Sequence, residues 1–325
     1  MNDLYQSSFY FSTEIKEQLL VKNLVSSGMT VFDVGANIGN YSIFLSQLVG
    51  KYGKVYSFEP TSSTFRQLLR RFQEFNCSNI YAFQKAIFSE NKQIEFNEFP
   101  EEYSSWNSLG FPKMLDPENH AAYVPIVRTE IVEAITLDRF CQQNQIETIH
   151  YLKIDVEGAE SDVLKGAVEL LKRKAIHFIQ FEISQKMLEG LSRKAKDTFD
   201  LLIEHRYEAH EIQNDGSIGE IVTDSQSFYE NYVAFPLLET EISKVIDNIY
   251  NCVKAYRQER TQVSINNLQQ ARQQFAELLL NLSADQLAIT YFLKLGKVHE
   301  IFLNSEIKRE NFPKSKLASF AQIIQ

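Results

Sequence analysis

Two stretches of this chain place ionisable side chains where apolar ones would be expected. In Leu152-Lys153-Ile154-Asp155, strand alternation puts Lys153 and Asp155 on one face and Leu152 and Ile154 on the other. In Ile179-Gln180-Phe181-Glu182, Gln180 and Glu182 share one face in the same way. Central strands of a parallel sheet are usually apolar on both faces, so four polar groups at two strand ends require a role. A cluster that activates an acceptor is one role, with Asp155, Glu157 or Glu182 as general base and Lys153 as electrostatic partner. A satisfied ion-pair network is the other. Asp155 and Glu182 carry oxygen ligands that Mg²⁺ accepts, but no metal is assigned, and the six histidines have no metal-ligand spacing.

A second constellation lies upstream. Asp33-Val34-Gly35-Ala36-Asn37-Ile38-Gly39 joins an expected strand to an expected helix, and Glu59 closes the following strand. Glycine lets a ligand approach the backbone, and a helix N-terminus offers N–H groups to a carboxylate. Asp33 can answer an ammonium, and Glu59 stands where an acid accepts from both hydroxyls of a ribose. The spacing is DxGxxxG, whereas a dinucleotide pyrophosphate needs GxGxxG; this favours S-adenosylmethionine over a nicotinamide cofactor. An oxidoreductase and a cofactor-binding scaffold without catalysis are the competing classes. Between the two constellations, Glu101 to Leu109 carries the single Trp among hydroxyls and an amide, so Trp106 and Ser108 are candidate contacts for a sugar or other polyol. Packing of Trp106 onto the domain is the alternative.

These residues need a scaffold of alternating strands and helices, and the chain supplies one. Strands are expected at Thr30–Val34, Lys54–Phe58, Ile80–Phe83, near Ile126–Val132, at Ile149–Ile154 and at Ile176–Ile183. Helices are expected at Gly39–Val49, Ser62–Phe75, Leu137–Gln143, Ala159–Lys172 and Arg193–Glu204. Two closing segments, Glu208–Gln213 and Tyr229–Phe235, flank the turn Asn214-Asp215-Gly216, which signals an antiparallel hairpin. Residues 99–125 look irregular, as a lid or binding loop would. The fold class is α/β, with residues 1–237 forming a Rossmann-like domain that includes an N-terminal helix. Residues 238–325 read as an α-helical appendage able to support a homodimer.

Hydrophobic residues at 44% and charged residues at 23% are typical of a globular chain. The net charge of −9 disfavours a nucleic-acid backbone as partner. Three scattered cysteines form neither a disulfide framework nor a CxxC pair. No apolar run reaches the ~20 residues that span a bilayer, so the expectation is a cytoplasmic protein with no membrane partner.

Taken in order, Asp33 to Gly39, Phe58-Glu59-Pro60, Thr136-Leu137-Asp138, Lys153 to Gly158 and Phe181-Glu182 resemble the FkbM family of methyltransferases. The resemblance implies a seven-stranded, mostly parallel sheet with helices on both faces and S-adenosylmethionine as donor. It also implies an oxygen of a sugar, polyketide or similar small molecule as acceptor. It places Asp33, Gly35, Asn37 and Glu59 at the cofactor, in a loop whose Ala36 and Gly39 are candidate cofactor contacts as well, Lys85 and Ala86 beside the adenine, and Asp155, Glu157 and Glu182 near the acceptor. Transfer to a hydroxyl is preferred over methyl-ester formation on a carboxylate of a small acid or peptide.

Overall fold

The computed structural model describes residues 14–111, 124–225, 227–237 and 240–281. The chain divides into two compact units, Met1–Pro236 and Leu237–Gln325.

In the first unit, α1 (Ile15–Leu24) precedes β1 (Thr30–Val34), α2 (Asn40–Val49), β2 (Lys54–Phe58), α3 (Ser62–Glu74) and β3 (Ile80–Phe83). Three strands, β4 (Ala86–Ile87), β5 (Lys92–Glu98) and β6 (Arg128–Ile135), leave the main sheet and form a small one of their own. The alternation then resumes with α4 (Leu137–Gln143), β7 (Ile149–Ile154), α5 (Glu160–Lys165), α6 (Val168–Lys172) and β8 (Ile176–Ser184). The unit closes with α7 (Gln185–Gly190), α8 (Ala195–Glu204), β9 (Tyr207–Ile212), β10 (Ile218–Val222) and β11 (Tyr229–Pro236).

The main sheet has the order β10-β9-β11-β8-β7-β1-β2-β3. Its seven expected strands are joined at the edge by an eighth, β10. Strands β3, β2, β1, β7 and β8 run parallel, and β11 enters antiparallel between β8 and β9. Chain order reverses on either side of β1, so the C-terminal ends of β1, β2 and β7 open onto a crevice where ligands of open α/β sheets bind. Below the crevice Phe32, Phe58, Leu152, Ile154 and Phe181 are fully buried, with Phe140 edge-on to Phe58 at 4.8 Å between centroids. Burying such side chains stabilises the fold by roughly 1.5–3 kcal/mol each.

Several expected boundaries shift for local reasons. The turn at Asn214-Asp215-Gly216 does build a hairpin, but it links β9 to β10; β11 returns later between β9 and β8. The expected helix Ala159–Lys172 is two helices. Gly166 comes so close to Phe88 that a Cβ there would lie 2.1 Å from the Phe88 carbonyl oxygen. Asp138 then starts the second helix, accepting the N–H groups of Glu169 and Leu170 at 2.9 and 3.0 Å. Thr136 caps α4 through the Arg139 N–H at 3.2 Å, so the Thr136-Leu137-Asp138 motif anchors two helices. Strand β6 starts two residues later than expected, at Arg128. Its partner β5 lies in a stretch given no expected strand, although Ile94 and Phe96 alternate with polar residues there.

Of the irregular region, residues 112–123 lie outside the described residues. In the second unit, the described residues form two helices, α9 (Thr240–Glu259) and α10 (Gln262–Asn281). Residues 282–325 of the expected appendage lie outside the described ones. Among the described residues, no helix is long and apolar enough to cross a membrane.

Candidate active site

The loop after β1 is built by backbone geometry that only particular residues adopt. Gly35 sits at φ 85°, where a Cβ would lie 1.7 Å from the carbonyl oxygen of Asp155. This glycine lets the β1 and β7 ends touch. The N–H groups of Gly35 and Ala36 both donate to the Phe58 carbonyl, at 3.0 and 2.9 Å, tying the loop to the end of β2. Gly39 has a different purpose. A Cβ on it would meet the Phe72 ring at 2.5 Å, so it permits α2 to pack on α3, and it lines neither cavity described below.

Glu59 is buried at the end of β2. One carboxylate oxygen accepts the Asn37 N–H at 3.2 Å; the other accepts the Thr61 N–H and hydroxyl at 3.0 and 2.6 Å. Burial pushes its carboxyl up to about 7, against the lowering effect of these donors. The two oxygens offer four lone pairs and accept three donors, so one lone pair remains, on the oxygen that accepts from Asn37. Asp33 is fully buried and lines neither cavity: one oxygen accepts the Ser42 hydroxyl at 2.6 Å and the other, Oδ1, has no hydrogen-bond partner. Burial raises its carboxyl as well, with nearby Lys153 opposing.

Two cavities meet at this loop. The first is lined by Gly35, Asn37, Glu59, Lys85 and Ala86 together with Asp155, Glu157 and apolar Phe58, Phe88 and Phe96. The second is lined by Glu14, Ala36, Asn40, Tyr41 and Lys153. Gly35, Asn37, Asp155, Ser104 and Ser105 border both. Lys85 carries its ammonium outward to Glu133. The expected contacts Trp106 and Ser108 line neither cavity. Trp106 stacks on Tyr103 at 4.7 Å between centroids and meets Phe99 edge-on, while Ser108 exchanges two backbone hydrogen bonds with Asn97. Aromatic packing holds the loop down and presents Ser104, Ser105 and Asn107 instead.

At the ends of β7 and β8 the carboxylates converge. Lys153, 5% exposed, donates to Asp155 at 2.7 Å and sits over the Tyr41 ring at 4.8 Å. Oxygens of Asp155, Glu157 and Glu182 lie within 4.8 Å of one another. That spacing also suits a divalent cation. Burial first, then mutual repulsion with Glu182 and Asp155, holds the Glu157 carboxyl well above the usual range. Burial and Asp155 do the same for Glu182, with nearby Tyr229 opposing. Glu157 stands at φ 53°, a left-handed conformation that non-glycine residues adopt rarely. Gln180, by contrast, is absorbed into the core: its carbonyl accepts from Tyr41 at 2.6 Å and from Tyr151, and its amide donates to Asn231 at 3.2 Å.

The residues that sequence reasoning missed are Glu14, Tyr41, Thr61 and Tyr229. Thr61 had a local signal, a hydroxyl two residues after Glu59. Glu14 and Tyr229 reach the site from chain segments far away and had none.

A mostly parallel sheet with this crevice, a glycine loop and a buried acid at the end of β2 define a Rossmann-like domain. Residues 33–209 match the family model described as the Methyltransferase FkbM domain, and the chain belongs to that family. It is 26% identical over 176 residues to the 2-O-methyltransferase NoeI of Sinorhizobium fredii, covering 53% of this chain and 70% of that protein. It is 27% identical over 147 residues to Methyltransferase 1 of Beauveria bassiana, covering 42% and 57%. Among solved structures, Methyltransferase FkbM from Methylobacillus flagellatus is 16% identical, covering 64% of this chain and 43% of that one, with a TM-score of 0.38.

Proposed function

We propose that this chain is an S-adenosylmethionine-dependent O-methyltransferase acting on a hydroxyl of a small molecule, a sugar or another natural product. The observation that carries the hydroxyl reading is the Asp155, Glu157 and Glu182 group, whose oxygens lie within 4.8 Å of one another beside the loop cavity, with the carboxyls of Glu157 and Glu182 raised. An alcohol acceptor needs a base within hydrogen-bond reach, and a carboxylate of raised pKa is a better one. An anionic acceptor needs none and would be repelled by three carboxylates, which disfavours methyl-ester formation. The 2-O-methyltransferase named among the relatives agrees with this reading.

The residues present fit the donor. Glu59 retains one lone pair beside the first cavity for a ribose hydroxyl, Gly35 lets the ends of β1 and β7 close together at that cavity, and Asp33 Oδ1 is a buried acceptor without a partner among the described residues. Phe88 and Phe96 give that cavity an apolar wall suited to an adenine, beside Lys85 and Ala86. When bound, S-adenosylmethionine supplies an electrophilic methyl group on a sulfonium, so alignment accounts for most of the acceleration. Lys153 holds Asp155 in place, and Glu157 or Glu182 takes the acceptor's hydroxyl proton onto a carboxylate oxygen.

The test is transfer of a labelled methyl group to a panel of sugar and polyketide hydroxyls by the wild-type chain and by Glu182→Gln and Glu157→Gln. Transfer that is strongly reduced in the variants supports the base assignment. Full transfer in both variants contradicts it, and absence of transfer to every hydroxyl acceptor favours the non-catalytic scaffold.

A further inference from the structure

The second cavity is unbalanced in charge. Among the described residues, its walls carry the carboxylates of Glu14, Glu102 and Asp155 against one cation, Lys153, which is already engaged by Asp155 at 2.7 Å. Glu14 is half-buried at the start of α1 and neither caps that helix nor forms a side-chain hydrogen bond or ion pair with any described residue. Two further buried acceptors lack partners: Oδ1 of Asp33, whose residue lies beside Lys153 in the β1–β7 pairing, and Oε2 of Glu17, one turn along α1 from Glu14. Burial raises the Glu14 carboxyl, Lys153 lowers it, and Asp155, Glu17 and Asp33 add to the rise. Such a pocket is completed by a cation.

The two cavities share Gly35, Asn37 and Asp155, so one elongated ligand can run through both. With the ribose at Glu59, its far end enters the cavity that Glu14 borders. We infer that Glu14 is a donor-binding residue, whose carboxylate receives the ammonium of the donor's amino-acid end and so makes α1 part of the cofactor site. This rests on the donor reading above. It gives a role to a segment that lies outside the matched family region, residues 33–209.

The experiment is calorimetric titration of the full chain with S-adenosylhomocysteine, with its deaminated analogue, and with 5′-methylthioadenosine, which lacks the amino-acid end. Wild type is compared with Glu14→Gln, and thermal melting reports whether α1 is still in place. A charge-assisted contact predicts that Glu14→Gln weakens S-adenosylhomocysteine about tenfold or more and leaves 5′-methylthioadenosine unchanged. On the wild-type chain, the deaminated analogue should bind as weakly as S-adenosylhomocysteine binds the variant, a comparison that does not depend on how well Glu14→Gln folds. Unchanged affinity in Glu14→Gln, equal weakening of both thioethers, or tight binding of the deaminated analogue would overturn the assignment. If wild type bound none of the three, the donor reading itself would fall, and this inference with it.

Discussion

The two halves of the crevice treat their carboxylates in opposite ways. At the ends of β1 and β2, Glu59 is surrounded by donors, two backbone N–H groups and a hydroxyl, which fix it as an acceptor. At the ends of β7 and β8, Asp155, Glu157 and Glu182 face one another, with Lys153 as the nearby cation. Donors around an acid make a binding site that is ready before the ligand arrives. Acids around an acid make a group that holds protons tightly and can take one from an alcohol. Donor binding and acceptor activation should therefore fail separately.

The largest effect is expected where the halves touch. Gly35→Ala drives a Cβ into the Asp155 carbonyl at an unfavourable φ, which should lower stability by about 4 kcal/mol or more and abolish S-adenosylhomocysteine binding. Thermal melting and calorimetry check both, and an unperturbed variant would mean that the loop and β7 are not in contact. Next, Glu182→Gln or Glu157→Gln should depress methyl transfer roughly a hundred- to ten-thousand-fold, with donor affinity kept within a few-fold. Equal losses in turnover and affinity would merge the two halves.

Glu59→Ala should weaken donor binding by ~3 kcal/mol, about a hundredfold, the upper end for one charge-assisted hydrogen bond. A smaller, pH-dependent effect follows from the carboxyl of the same residue, raised from 4.5 to about 7. Between those values the folded chain holds a proton that the unfolded chain has lost. The contribution of Glu59 therefore favours the folded apo chain at low pH and declines as pH rises through that window. Donor affinity should run the other way, falling as pH drops below about 7, because a ribose hydroxyl donates to the carboxylate. Titrations at several pH values should show this dependence in wild type and not in Glu59→Gln. The smallest effect belongs to Trp106→Ala, which removes a stack on Tyr103 and should lower the melting temperature by a few degrees with donor affinity intact. A collapse of donor affinity would instead put Trp106 at the ligand.

The same contrast explains what was legible in the sequence. Strand alternation placed Lys153 and Asp155 on one face, and the structure joins them; it also placed Gln180 beside Glu182, but Gln180 serves the core because Tyr41 and Tyr151 reach it from α2 and β7. The glycine loop was legible because Gly35 answers to backbone sterics, which spacing encodes. Gly39 looked the same in sequence, yet it answers to Phe72 of α3. Glu14 and Tyr229 gave no signal, since helix packing and the late return of β11 bring them to the site. Strand β10 was missed because its residues are half-buried or exposed and its pairing with β9 is irregular.

The most direct test of this division is one calorimetric series with S-adenosylhomocysteine, with NAD(H) as control ligand, on wild type, Glu59→Ala and Glu182→Gln. The account predicts that wild type and Glu182→Gln bind S-adenosylhomocysteine alike, that Glu59→Ala loses about two orders of magnitude, and that NAD(H) does not bind. Binding of NAD(H), or a loss in Glu182→Gln as large as that in Glu59→Ala, would contradict it.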